Sequence, residues 1–214
     1  MTSSRANPVA PTHPTFTVAA DEESLRCAAE GLSFHGLKVE VLDDTEGARA
    51  RLAELVPAGA SVFTGASETL RISGIDTDLN ASGRYDAIKP RVTAMDRATQ
   101  AKEIRQLISS PDVVVGSVAA VTETGSIVAA SGTGFQIPAY AAGAGQVILV
   151  VGAQKIVPDL ETAMERLESH VLPLEDARSM AVYGAHSAMN RVLILNGEPF
   201  GRVTVLLLRQ VIGF

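Results

Sequence analysis

The stretch DVVVGSVAAVTETGSIVAAS, Asp112–Ser131, decides the fold. An apolar run enters a short polar turn, Thr122-Glu123-Thr124-Gly125-Ser126, and a second apolar run leaves it. Such runs are the mark of strands lying inside a sheet. Strands of this kind hold one carboxylate, three hydroxyls and a glycine in a fixed place at a strand end, where small α/β proteins often build ligand sites.

Outward from this stretch, helices and strands alternate. Towards the N-terminus, Asp21 is a good N-cap for a helix with Leu25, Ala28, Ala29 and Leu32 on one face and Gly36 at its end. Leu37–Leu42 alternates as a half-buried strand does. Asp43 or Asp44 caps a second helix carrying Ala48, Leu52 and Leu55, which Pro57 and Gly59 stop. Ala60–Thr64 is a short strand, and Gly65-Ala66-Ser67 opens a brief helix closed by Gly74. Residues 75–91 read as a loop, whose Tyr85 and Lys89 matter if it is a lid; a helix is predicted over about 93–108. Towards the C-terminus, residues 131–145 form a glycine-rich connection and Gln146–Val151 a buried strand. Pro158 and Asp159 start a helix, Pro173 begins another towards Tyr183, and Arg191–Leu195 and Arg202–Arg209 are strands. The pattern predicts an α/β domain with a mostly parallel sheet. The last two strands and the Thr122–Ser126 turn read as antiparallel hairpin additions. Residues 1–20, with Pro8, Pro11 and Pro14, read as a flexible tail before a single domain over 21–214.

Composition narrows the function. The 214 residues are 46% hydrophobic and 4% aromatic, with a net charge of −6 and no basic run. That argues against a nucleic-acid partner. No stretch approaches the ~18 apolar residues of a membrane span, and the start lacks the layout of a secretory signal. The single cysteine, Cys27, makes no internal disulfide, which fits a reducing cytoplasm, and cannot hold an iron–sulfur cluster. His13, His35, His170 and His186 give no metal-ligand spacing. Walker A and dinucleotide-binding glycine motifs are absent.

Two constellations carry chemistry. In Thr64-Gly65-Ala66-Ser67-Glu68-Thr69-Leu70-Arg71, a strand enters a glycine turn and a helix starts at the hydroxyls. Free N–H groups there suit an anion, with Ser67 and Thr69 as further donors; alternatively Ser67 is a plain N-cap. In Thr122–Ser126, a desolvated Glu123 would serve as nucleophile or general base; alternatively the segment is a hairpin turn with a solvated carboxylate. Lys155, after a buried strand, and Arg202, with its planar fork, are candidate counter-charges or ordinary solvated and paired cations. His186-Ser187 reads as a cap or packing pair, and Cys27 as a small core residue.

These pieces carry a resemblance. TGASETLR at 64–71 with Gly74-Ile75, AVTETGS at 120–126, QKIVPDL at 154–160 and the closing segment from Arg191 through GRVTVLLL (201–208) to Gly213-Phe214 resemble the LUD-domain proteins, of the stand-alone lactate-utilisation protein C type. The resemblance implies a three-layer αβα fold like that of the NagB/RpiA/CoA transferase superfamily. It implies a role in oxidising L-lactate to pyruvate beside partner subunits that carry iron–sulfur clusters, with no cofactor in this chain. The chain departs from the family pattern at Glu68 and at Val121-Thr122. By fold-level analogy, Glu123 falls near the catalytic glutamate of coenzyme A transferases.

The expectation is a cytoplasmic component of lactate oxidation. It binds a small anionic substrate between Thr64, Gly65, Ser67, Thr69 and Thr124, Gly125, Ser126, with Lys155 or Arg202 as counter-charge. The alternatives are a coenzyme A or acyl transferase using Glu123, and a sugar-phosphate or nucleotide-binding module without catalysis. The sequence leaves self-association open.

Overall fold

The computed structural model describes residues 13–214. The opening helix α1 (Glu22–Phe34) has Asp21 as its N-cap, accepting from Ser24 N at 2.8 Å. Strand β1 (Lys38–Leu42) leads to α2 (Thr45–Leu55), capped by Asp44, and then to β2 (Ser61–Thr64). Two short helices, α3 (Glu68–Ile72) and α4 (Ile75–Ala81), precede β3 (Asp86–Ala87), α5 (Ile88–Ala94) and α6 (Ala101–Ser109). The deciding stretch supplies β4 (Val113–Gly116), β5 (Ala120–Thr122) and β6 (Ile127–Ser131). Then come β7 (Gln146–Gly152), β8 (Ile156–Val157), α7 (Leu160–Arg166), α8 (Leu172–Tyr183), β9 (Arg191–Leu195) and β10 (Val203–Leu208).

Six strands form an all-parallel sheet in the order β1-β10-β7-β4-β2-β3. Its central strands are apolar on both faces, as burial on both sides demands. Val147, Leu149 and Val151 of β7 face one way, with Val203, Val205 and Leu207 of β10, and meet α1, α5 and α6. Ile148, Val150, Leu206 and Leu208 face the other way and meet α2, α3 and α4. The result is a three-layer α/β arrangement.

A second sheet, β8-β5-β6-β9, is built into the α1 side. Val121, Ile127 and Ala129 join the core of the large sheet, while Ala120 and Val128 turn outwards to α7 and Phe16.

Four expectations are corrected. Residues 75–91 are not a loop: Ile75 and Leu79, four apart, bury one face of α4, and β3 pairs with β2. The helix expected over 93–108 is two helices. Between them Asp96 accepts from Ala98 N and Thr99 Oγ1, both at 2.8 Å, a local turn that competes with helix. The last two strands are not a hairpin: β9 pairs with β6 in the small sheet, while β10 lies parallel between β1 and β7. The reason is visible in the side chains, since Val203–Leu208 is buried throughout whereas Val192 and Ile194 of β9 are exposed. Finally, Pro14–Thr17 forms a 3-10 turn whose Phe16 is buried, so packed structure begins before residue 21. The tail expected over residues 1–12 lies outside the described residues.

Candidate functional site

Because β2, β4, β7 and β10 run in one direction, the segments after Thr64, Gly116, Gly152 and Leu208 meet at one edge of the large sheet. Carboxyl ends of parallel strands are where such folds place ligands. Gly65-Ala66-Ser67 turns the chain from β2 into α3, and Ser67 Oγ accepts from Leu70 N at 3.3 Å. This is the N-cap arrangement. Thr69, one residue into α3, points inwards and is buried.

Lys155 reaches Thr69 from the 3-10 turn Ala153–Lys155 that follows β7. Its Nζ donates to Thr69 Oγ1 at 3.0 Å, Ser117 Oγ at 3.0 Å and Val118 O at 3.2 Å. One amine thus ties α3, the β4–β5 connection and the end of β7 together. Lys155 is 1% exposed, and no carboxylate pairs with it among the described residues. Burial, then the Arg166 charge nearby, hold its pKa well below the usual lysine range. Ser117 is half-buried and is the member of the group nearest solvent.

Two neighbours frame this amine. Gln154 donates to Ile212 O at 2.8 Å and Gly213 O at 3.0 Å, and accepts from Ile212 N at 3.2 Å, so it lays the C-terminal segment over Thr69. Gly213 has φ +65, and a Cβ there would overlap Thr69 Oγ1. On the other side, Arg166 of α7 donates through Nε to Gln154 O at 3.3 Å and through Nη1 to Ala119 O. It is fully buried, which pushes its pKa down to about 10.

Thr64 belongs to a separate polar network. Its Oγ1 donates to Asp76 Oδ1 at 3.0 Å and accepts from Asn80 Nδ2 at 2.9 Å, and Lys89 Nζ pairs with Asp76 Oδ1 at 2.7 Å. Gly65 faces Gln136, whose Cβ lies 3.6 Å from where a Gly65 Cβ would be.

The Thr122–Ser126 turn lies elsewhere. Lys155 reaches back to Ser117 and Val118, before β5, whereas Glu123 follows its end. The turn rests on the backbone of α1: a Cβ on Gly31 would stand 2.8 Å from Glu123 O and Gly125 N. His35 Nδ1 bonds Gly125 O at 3.2 Å. The hydroxyls are satisfied by one another, by the backbone and by Asn196: Thr122 and Thr124 Oγ1 are 2.9 Å apart, Ser126 N donates to Thr122 Oγ1 at 2.9 Å, and Ser126 Oγ donates to Asn196 Oδ1 at 2.8 Å.

Arg202 precedes β10 and so stands at the amino edge of the parallel sheet, opposite Lys155. Its guanidinium is taken up by the carbonyls of Ala139, Tyr140, Ala141 and Ala144 and by Glu198 at 3.1 Å.

Of the residues singled out from sequence, the structure therefore joins Thr69 with Lys155 and places Ser67 two residues before Thr69. No hydrogen bond among the described residues links these to Thr124, Gly125 or Ser126. Sequence reasoning missed Ser117 and Arg166. The phase of QKIVPDLETAMER would have aligned Arg166 with the inward Ala163, but nothing local marks Ser117. His186 pairs with Asp176 at 3.0 Å. Among the described residues no group of three or more His, Cys, Asp or Glu is placed to hold a metal ion, and no helix is long and apolar enough to cross a membrane.

The LUD domain family model matches residues 25–187, and the chain belongs to that family. The family is associated with lactate utilisation in general. Among solved structures, the chain is similar to a DUF162 family protein from Deinococcus radiodurans, with 14% identity and a TM-score of 0.51. The match covers 87% of this chain and 96% of that one, and shows the shared fold. No curated protein sequence matches.

Proposed function

We propose that this protein is a component of an L-lactate oxidation system that binds a small carboxylate at the carboxyl edge of its parallel sheet. In this reading Lys155, Thr69 and Ser117 are the binding group, and the redox step falls to partner subunits bearing iron–sulfur clusters. The observation that carries it is Lys155: a buried amine at the customary ligand edge, with no carboxylate among the described residues to balance it. A buried cation without a counter-charge is unfavourable, and an anionic ligand removes that penalty. Family membership supports lactate as the acid. Ser117, half-buried and accepting from Lys155, keeps its own hydroxyl proton to donate to the incoming anion.

The sign of the pH effect follows. Lys155 is held below the usual lysine range, and an anion beside it favours the ammonium. Binding therefore takes up a proton, and affinity rises as pH falls. Calorimetry with L-lactate, D-lactate and pyruvate tests the reading. Wild-type protein binds L-lactate with proton uptake, and Lys155→Met, close in shape and uncharged, folds but does not bind. Undiminished binding by a folded Lys155→Met protein overturns it.

A further inference from the structure

Arg166 differs from Lys155 in one respect: it has a bond unmade. Its Nη2 is buried with no hydrogen-bond partner among the described residues, while Nε and Nη1 donate to Gln154 O and Ala119 O. No acidic side chain pairs with it among the described residues, and residues 1–12 include no Asp or Glu. Phe16 covers the place. The guanidinium carbon lies 5.9 Å from its ring centroid, and the rings of His13 and His170 lie 4.9 Å and 6.0 Å from it. The Nδ1 atoms of both histidines are also buried without a partner among the described residues. Three basic side chains with unmade bonds thus surround one phenyl ring, where buried polar groups are ordinarily satisfied.

We infer that Arg166, His170 and His13 form a binding position for one small free carboxylate, with the Pro14–Thr17 turn as its cover. A guanidinium with a free Nη2 is matched by a carboxylate oxygen, and the second oxygen accepts from a histidine Nδ1–H. The planar guanidinium edge and a separate ring N–H suit the two oxygens of a carboxylate better than a single spherical halide. The cover is held by the packing of Phe16, 4% exposed, against Ala120, Val128, Ala163 and Leu167, and by few main-chain ties: Phe16 N donates to His13 O within the turn, and Ala20 N donates to Ala153 O at 3.3 Å. Displacing Phe16 opens the position.

The inference goes beyond the lactate reading, because Lys155 has its own three acceptors and Arg166 does not. Burial first, then the charges of Arg166, His13 and Lys155, push His170 down to about 4. A carboxylate seated between Arg166 and His170 opposes that push, so occupancy strengthens towards low pH.

Thermal unfolding of the full chain in sodium formate and in sodium chloride, at equal ionic strength, tests this. Formate raises the melting temperature saturably and chloride does not; the apparent affinity is higher at acid than at neutral pH. In the Lys155→Met background, which removes the small-carboxylate position proposed above, Arg166→Met abolishes the response. Should that variant fail to fold, His170→Phe weakens formate by about tenfold, the loss of one charge-assisted bond, and flattens the pH dependence. Lys155→Met keeps the formate response whether or not it loses lactate, so the two readings fail separately. Formate acting as chloride does, a full response in both Arg166→Met and His170→Phe, or loss of the response in a folded Lys155→Met protein overturns the inference.

Discussion

The two hydroxyl-rich turns, Thr64–Thr69 and Thr122–Ser126, are alike in composition and opposite in surroundings. The first opens at the carboxyl edge of the parallel sheet and sends Thr69 to a buried amine. The second closes on the backbone of α1, glycine against glycine, with its hydroxyls bonded to one another. Threonine, glycine and serine at a strand end therefore do not by themselves distinguish a binding turn from a packing turn. What distinguishes them is whether the glycine faces a side chain that yields or a backbone that does not.

The largest test of this contrast is at the glycines. Gly125 has φ +90, and a Cβ there would overlap the Gly31 backbone. Gly125→Ala is expected to destabilise by about 3–5 kcal/mol in urea unfolding, the range for strain combined with overpacking. Gly65→Ala meets only the Gln136 side chain at ordinary contact distance and is expected to change stability by less than about 1 kcal/mol. Equal losses at the two sites would erase the distinction.

A second difference lies in pH response, since the basic cluster is on the Lys155 side alone. The unfolded chain protonates His170 near pH 6.5, whereas the folded ring resists until about pH 4. The unfolded state therefore binds more protons in that window, and stability falls as pH drops from 6.5 to 4. His170→Asn should flatten this stretch of a melting-temperature profile; an unchanged slope would show that the ring is not held neutral.

Smaller effects sharpen the packing side. Thr122→Val removes the acceptor for Ser126 N and the bond to Thr124, a loss of about 1–2 kcal/mol by denaturant titration. Glu123→Gln is expected to alter stability by less than about 0.5 kcal/mol and to leave lactate calorimetry unchanged. A loss of lactate binding in that variant would return the second turn to the site.

Much of the fold was legible. Asp21 and Asp44 announce their helices, Gly36 ends the first, and the apolar runs at 113–116 and 146–152 announce buried parallel strands. Less of the candidate site was. Lys155 stood out beside a buried strand, but Ser117 carries no local mark, and Arg202 looked as available as Lys155 until its fork proved to be bonded to four carbonyls. Residues 75–91 misled because Gly83, Pro90 and scattered polar residues outweigh a helical phase that only Ile75 and Leu79 express.

Local chemistry determined what could be decided within a few residues: caps, turns, and strands apolar enough to lie between layers. Those choices depend on backbone hydrogen bonds and on side-chain period, both written in adjacent positions. Tertiary structure alone decided which end of a strand each polar group reached, because that depends on strand order and direction. Lys155 and Arg202 sit beside adjacent parallel strands yet at opposite edges, and only the long-range burial that pairs β7 with β10 put them there.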